Sequence, residues 1–170
     1  LHVYTLPTGD WGKKGAATGF PEAEWASTMK RTLRMADVIE DQKAILKKHD
    51  LPADAFGLYV DEWGMWVDQD EATDPPALYQ QGSIRDAIVA GLNLNLFHAH
   101  ADVVKMTNIA QMVNVLQAMI LTDGPDMVLT PTYHVFDMYQ PFMGAEALEM
   151  NLQSPDYVLG DVTVPAISAS

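Results

Sequence analysis

From Pro21 onward, apolar residues recur at helical spacing: Trp25, Met29, Leu33, Ala36, Ile39 and Ile45, with Arg31, Arg34, Asp41, Lys47 and Lys48 turned outward. Steps of three and four residues place side chains on one stripe of a helix, so this stretch predicts an amphipathic helix that buries one side. Ahead of it, "PTGDWGKKGAATGF" (7–20) is rich in glycine and turn residues and reads as a long loop, while residues 1–5 read as a strand. After "HDLPAD" the run Phe56–Val60 lacks strict alternation, as a strand of a parallel sheet buried on both faces does. An acidic loop with Pro75-Pro76 spans 67–82, and Ser83 then caps a helical pattern through Ile84, Ala87, Ile88, Gly91, Leu92 and Leu96. Val103–Met106 is the next short strand. A further helix is expected from Thr107 or Asn108, with Ile109, Met112, Val113, Leu116, Met119 and Ile120 on one face, stopping at "TDGP". Beyond it, "MVLTPTYHVFDMYQPF", "ALEMNL" and "VTVPAISAS" read as short extended stretches without another strong helix.

This alternation predicts an α/β fold with a parallel sheet and crossover helices, followed from about Asp137 by the opening of an all-β module. Two clear strands and the one at residues 1–5 are too few to close a doubly wound sheet or a barrel. The partner strands are therefore expected outside this sequence or from association. With 23 acidic against 10 basic residues and a net charge of −13, the chain lacks the clustered cations of a nucleic-acid binder, and neutral substrates suit it better. The absence of cysteine removes disulfides and thiolate metal sites. No segment approaches the roughly 20 apolar residues of a membrane span, and the first residues hold no apolar signal core. With Leu1 in place of a start residue, the chain reads as soluble and as a piece of something longer.

In βα architectures the reactive side chains sit at the carboxyl ends of strands. That rule selects Asp61, Glu62, Trp63 and Trp66 after the strand at 56–60, Thr107, Asn108 and Gln111 after the strand at 103–106, and His2 and Tyr4 on the strand at 1–5. Glu62 fits the nucleophile or acid/base of a glycosidase, in which paired carboxylates flank an oxocarbenium-like transition state. Its plain alternative is a strand-end carboxylate that caps a helix or pairs with a lysine. Trp63 and Trp66 offer flat apolar faces for sugar rings, or fill the core. His2 and Tyr4 share one strand face, where a tyrosine hydroxyl can hold a carboxylate in one rotamer; otherwise Tyr4 is a half-buried strand residue. Asn108 and Gln111 suit hydroxyl recognition or cap the following helix. His98 and His100 do not share a helical face and are assigned to the surface rather than to a metal. Met112 and Met119 are assigned to the core, and Asp68, Asp70, Glu71 and Asp74 to a solvated loop whose spacing matches no calcium template. No metal and no cofactor is expected.

Taken together, "LHVYT", "WGKKGAATGF", "GLYVDEWGMW", "DVVKMTNIAQMVNVLQAMI" and "MVLTPTYHVFDMY" resemble the carboxyl-terminal part of the α-L-arabinofuranosidases of glycoside hydrolase family 51, in the family's order and over nearly the whole chain. The resemblance implies that residues 1–136 are the last part of a (β/α)8 barrel, strands six to eight with their helices, and that 137–170 begin a β-sandwich domain. It implies a retaining, exo-acting enzyme that releases terminal arabinofuranosyl units from arabinan or arabinoxylan oligosaccharides. By position Glu62 resembles the nucleophile, His2 and Tyr4 the His-x-Tyr beside it, Trp66 part of the arabinose-binding wall and Gln111 a glutamine that contacts a sugar hydroxyl. Val3 stands where the family often has tyrosine. The family's Asn-Glu acid/base pair has no counterpart here, so the isolated chain is expected to be an inactive fragment. A cytoplasmic homo-oligomeric parent, with no nucleic-acid or membrane partner, is what the family implies. Competing expectations are another retaining glycosidase of the same clan, acting on β-glucan or xylan, and a non-catalytic carbohydrate-binding relic.

Overall fold

A computed structural model describes residues 1–52, 55–69 and 77–170. Three strands, β1 (His2–Thr5), β2 (Leu58–Met65) and β3 (Val104–Ile109), form a parallel sheet in that order. Helices α1 (Glu22–Leu33) and α2 (Met35–Lys48) connect β1 to β2, and α3 (Ile84–Ala99) connects β2 to β3. A hairpin of β4 (Ile120–Asp123) and β5 (Asp126–Leu129) follows, then α4 (Pro131–Tyr139), a 3₁₀ turn at Gln140–Phe142, and a second hairpin of β6 (Asp156–Leu159) and β7 (Val162–Pro165). The expected α/β alternation and parallel pairing are present, including the strand at the start of the chain. Asp70, Glu71, Asp74, Pro75 and Pro76, and the end of the "HDLPAD" turn, lie outside the described residues.

Several elements differ from the reading of the sequence. The helix expected from Pro21 through Ile45 is two helices separated at Arg34, whose amide bonds Arg31 O in a tightened turn before the next helix begins. Within α2, Ile39 is fully buried and Ile45 is half exposed, because six residues along one helix turn them to different sides. The strand expected at 56–60 begins at Leu58 and runs on to Met65, and the next extends to Ile109. The helix expected from residue 107 or 108 to 120 is absent. Asn114 and Leu116 take left-handed φ values of 59° and 53°, and the amides there bond Leu78 O and Ile120 O rather than carbonyls four residues back. Val113, Val115 and Ile120 are β-branched residues, stiff in a helix and better suited to the extended pairing found. "TDGP", read as a helix stop, is the tip of a hairpin in which Gly124 supplies a φ of +53°. Met112, assigned to the core, is exposed. The stretch "PTYHVFDMY" is helical rather than extended: Thr130 caps it by accepting from Tyr133 N, and Pro131 occupies the first turn.

One face of the sheet is covered. Met35 and Ile39 of α2 with Ala87, Ala90, Leu94 and Phe97 of α3 pack on Val60, Trp63 and Val104. Trp63 meets Phe97 edge-on at 5.3 Å and stacks on Phe136 at 6.0 Å. The Ser83–Asp86 capping box fixes the start of α3. On the other face, Tyr59 and Met106, paired across β2 and β3, are half exposed.

Strand β2 changes phase along its length. Val60 pairs with Thr107 and Trp63 with Ile109, so β2 carries one residue more than β3 between these pairs. Such a bulge reverses the alternation of side chains. Val60 and Trp63 therefore both enter the core, although they are three residues apart, while Asp61 and Glu62 between them stay accessible.

Candidate functional site

The bulge turns Glu62 away from the face packed by α2 and α3, and parallel pairing sets His2 of β1 directly beside it. Two residues along β1, Tyr4 lies opposite Gly64. The Tyr4 hydroxyl donates to Glu62 Oε2 at 2.7 Å, and His2 Nδ1 lies 3.4 Å from the same oxygen. Burial, then the bond to Glu62 and its negative charge, push the Tyr4 hydroxyl well above the ordinary tyrosine range, so it remains a donor. Glu62 lies within β2, three residues before its end, rather than just past the strand as the sequence suggested.

Trp66 follows the end of β2, and its ring meets Tyr4 edge-on at 5.0 Å. Trp63, the other candidate, is wholly in the core. Asp61 is exposed and lies 3.4 Å from the Leu1 nitrogen, apart from the Glu62 cluster. Thr107 is partly buried and Asn108 exposed on β3. Gln111 is exposed on the loop after β3, with its main-chain N–H bonded to Val115 O, and neither it nor Asn108 caps a helix, because an irregular loop and a hairpin come before α4. The structure thus gathers His2, Tyr4, Glu62 and Trp66, while Gln111 follows Ala110, whose amide bonds Trp63 O on β2. His98 is partly buried against Tyr139 and Phe142, with Nδ1 bonded to Ser170 Oγ, and burial lowers its pKa.

Three residues absent from the sequence-based set complete the picture. Trp11, an exposed ring in the loop 7–20, stands edge-on to Trp66 at 5.5 Å, and Lys14 Nζ lies over Trp66 at 5.5 Å. Asp68, expected in a solvated loop, holds that loop in place. Its two carboxylate oxygens accept from Lys14 N at 2.9 Å and Gly15 N at 3.1 Å, and its own amide donates to Gly15 O at 2.8 Å. A tryptophan among the glycines of the expected long loop was the available signal. Tyr4, Trp66 and Trp11 form a continuous aromatic edge leading away from the carboxylate. Such amphipathic or apolar rings beside a hydrogen-bonded carboxylate suit a polyhydroxylated ring, with stacking on one side and polar contacts on the other.

A groove of about 840 Å³ runs between α1, α3, α4 and the second hairpin, away from these residues. Glu62 instead sits on open surface, its side chain 41% exposed. Among the described residues no group of three His, Asp or Glu side chains is arranged for a metal, and no helix is long and apolar enough to cross a membrane.

Residues 61–166 match the family model of the α-L-arabinofuranosidase C-terminal domain. The whole chain is 45% identical to 33% of an intracellular exo-α-L-arabinofuranosidase of Bacteroides ovatus. Over 68% of the chain and 25% of the relative, it is 30% identical to an intracellular exo-α-(1→5)-L-arabinofuranosidase of Bacillus subtilis. The crystal structure of the GH51 arabinofuranosidase from Xanthomonas axonopodis pv. citri superposes with a TM-score of 0.90 at 52% identity, covering 97% of this chain and 33% of that one. The chain thus spans at most about a third of the length of these relatives.

Proposed function

The chain belongs to the α-L-arabinofuranosidase family, and on that premise we propose that the protein containing it is a retaining, exo-acting α-L-arabinofuranosidase. Its substrates are terminal arabinofuranosyl units of arabinan or arabinoxylan oligosaccharides. The observation that carries the reading is the Glu62 carboxylate, bonded by the Tyr4 hydroxyl at 2.7 Å beside the Trp66 ring.

In this reading Glu62 is the nucleophile. With Oε2 engaged by Tyr4 and His2, Oε1 attacks the anomeric carbon as the glycosidic C–O bond breaks. The leaving oxygen takes its proton from a second carboxylic acid contributed from outside these 170 residues. Water, deprotonated by that same group, then displaces Glu62, and two inversions retain the anomeric configuration. Trp66 walls the arabinose ring, Trp11 extends that wall, and Gln111 hydrogen-bonds a sugar hydroxyl. The 170-residue chain alone is inactive, because losing a general acid typically forfeits ~10²–10⁴-fold.

Residues 1–136 are proposed as strands six to eight of a (β/α)8 barrel with their helices, and 137–170 as the start of a β-sandwich. The half-exposed Tyr59 and Met106 support the first assignment, since parallel sheets are covered on both faces and a barrel interior provides that cover. The names of the relatives support a cytoplasmic protein, and a homo-oligomeric parent belongs to the same reading.

The test is hydrolysis of 4-nitrophenyl α-L-arabinofuranoside by the full-length protein, with the β-glucoside and β-xyloside as comparison. Arabinofuranoside is expected to be cleaved with retention, and Glu62→Ala to abolish turnover. Ordinary rates in that variant would sink the role of Glu62, and preference for the glucoside or xyloside would sink the substrate assignment.

A further inference from the structure

Where β2 runs past its last pair with β3, two buried glutamine side chains take the place of that strand while β1 stays paired on the other side. Gln117 and Gln80 are 1% and 3% exposed. Met65 N donates to Gln117 Oε1 at 2.6 Å, Gln80 Nε2 donates to Met65 O at 3.0 Å, and Val67 N donates to Gln80 Oε1 at 3.1 Å. A side-chain amide offers an acceptor and donors in one plane, so it can imitate a neighbouring peptide.

Gln117 also closes a ring around Gly64. Its main-chain N–H donates to Ala110 O at 3.2 Å, Ala110 N donates to Trp63 O at 2.9 Å, and its side-chain Oε1 accepts from Met65 N. Inside that ring Gly64 has φ +144°, a conformation that side-chain-bearing residues rarely adopt, and a Cβ there would come within 3.2 Å of Gln117 Oε1. Gly64 is midway between Glu62 and Trp66, so its backbone sets how the carboxylate and the aromatic wall face each other. On the far side, Gln117 Nε2 donates to Asp86 O at 2.6 Å and Thr132 Oγ1 at 3.2 Å, anchoring the clamp to the first turns of α3 and α4. Helix ends fixed in the core thereby reach the kink through one side chain.

We propose that Gln117 is a positioning residue for the glycosidase reaction: by holding Met65 N and the Gly64 kink, it fixes the orientation of Glu62 relative to Trp66. The inference rests on the reading of Glu62 as nucleophile. Gln117 itself touches no reacting atom, and its effect passes through Gly64 and Met65.

The test compares Gln117→Met and Gln117→Glu in the full-length protein, with kcat and KM for 4-nitrophenyl α-L-arabinofuranoside measured beside Tm. Misplacement of a reacting group by about 1 Å costs up to ~10²-fold, so Gln117→Met, similar in volume but without the hydrogen bonds, is expected to lower kcat tenfold or more, with a smaller change in KM. Gln117→Glu keeps the acceptor for Met65 N and, when protonated, a donor toward Asp86 O. Its kcat relative to wild type is therefore expected to rise as pH falls from about 8 to about 5. A kcat within about twofold of wild type for folded Gln117→Met, or a flat kcat ratio for Gln117→Glu, overturns the proposal. If Gln117→Met does not fold, Thr132→Val, which removes one of the two acceptors for Nε2, is expected to lower kcat about two- to fivefold, and an unchanged kcat is then the refuting result. Glu62→Gln run alongside separates the two failures. Its full activity sinks the nucleophile reading, whereas an inactive Glu62→Gln with normal Gln117 variants sinks this inference alone.

Discussion

Replacing Tyr4 by Phe removes one oxygen and leaves the ring, so the edge contact to Trp66 at 5.0 Å is retained while the 2.7 Å bond to Glu62 is lost. A hydrogen bond to a charged group contributes about 1.5–3 kcal/mol. Glu62 is 41% exposed, so water replaces part of the lost interaction, and the lower part of the range, about 1–2 kcal/mol, applies. Since 1.4 kcal/mol is a factor of ten, kcat/KM for an aryl arabinofuranoside should fall about 5–30-fold in the full-length protein. The pH dependence adds a second check. The folded-state pKa of Tyr4 is raised above its ordinary value of 10.0, so its stabilising contribution is fully present below that value and is lost only as pH rises through the folded pKa. The ratio of variant to wild-type activity should therefore be flat from neutral to mildly alkaline pH. The assay is steady-state hydrolysis with Tm measured in parallel. A kcat/KM within twofold of wild type, or a deficit that appears only in alkali, would refute the argument.

Other outcomes follow from the same geometry. Trp11→Ala should leave Tm nearly unchanged, because the ring is exposed and Asp68 holds the loop, but should raise KM for arabino-oligosaccharides more than for the aryl glycoside; equal effects on both would remove Trp11 from the binding edge. Trp63→Ala should cost about 3–5 kcal/mol by opening a cavity against Phe97 and Phe136, seen as a large drop in apparent Tm or loss of soluble protein. Burial raises the Asp86 carboxyl pKa, so its contribution to stability is full below the unfolded value and is lost as pH rises through the folded one. Asp86→Asn can still accept from Ser83 at the cap, so it should gain Tm relative to wild type at neutral pH and lose that advantage near pH 4; a difference independent of pH would contradict this.

Legibility in the sequence followed the range of the forces involved. The parallel core was readable in outline, since Val60 and Val104 fall in apolar runs and Ser83 announces its helix by local chemistry, but the stripe of α3 was misplaced: of the expected positions Ile84 and Ile88 are exposed, and Ala90, Leu94 and Phe97 are buried instead. Thr130-Pro131 was an equally local signal for α4, but the β-branched and aromatic residues around it pointed to strands. The irregular loop after β3 was misread because its apolar spacing of three and four residues is that of a helix. Its partners are distant in sequence: Leu116 N bonds Leu78 O, and Gln117 reaches Met65, Asp86 and Thr132. Long-range polar satisfaction of that kind leaves no period behind.

The candidate site shows the same division. His2 and Tyr4 on one strand face followed from the two-residue period, and their pairing with Glu62 needed only that the strands be neighbours. The bulge that turns Glu62 outward while keeping Val60 and Trp63 inward was not readable, because it depends on a register shift against β3. Without it, strict alternation would put Glu62 on the same side as Val60, in the apolar core beneath α2 and α3. A buried, unpaired carboxylate there would be strongly disfavoured. The extra residue therefore reconciles two demands on one strand, a continuous core on one face and an accessible carboxylate on the other. Gly64 and its glutamine clamp then restore the strand's course toward Trp66.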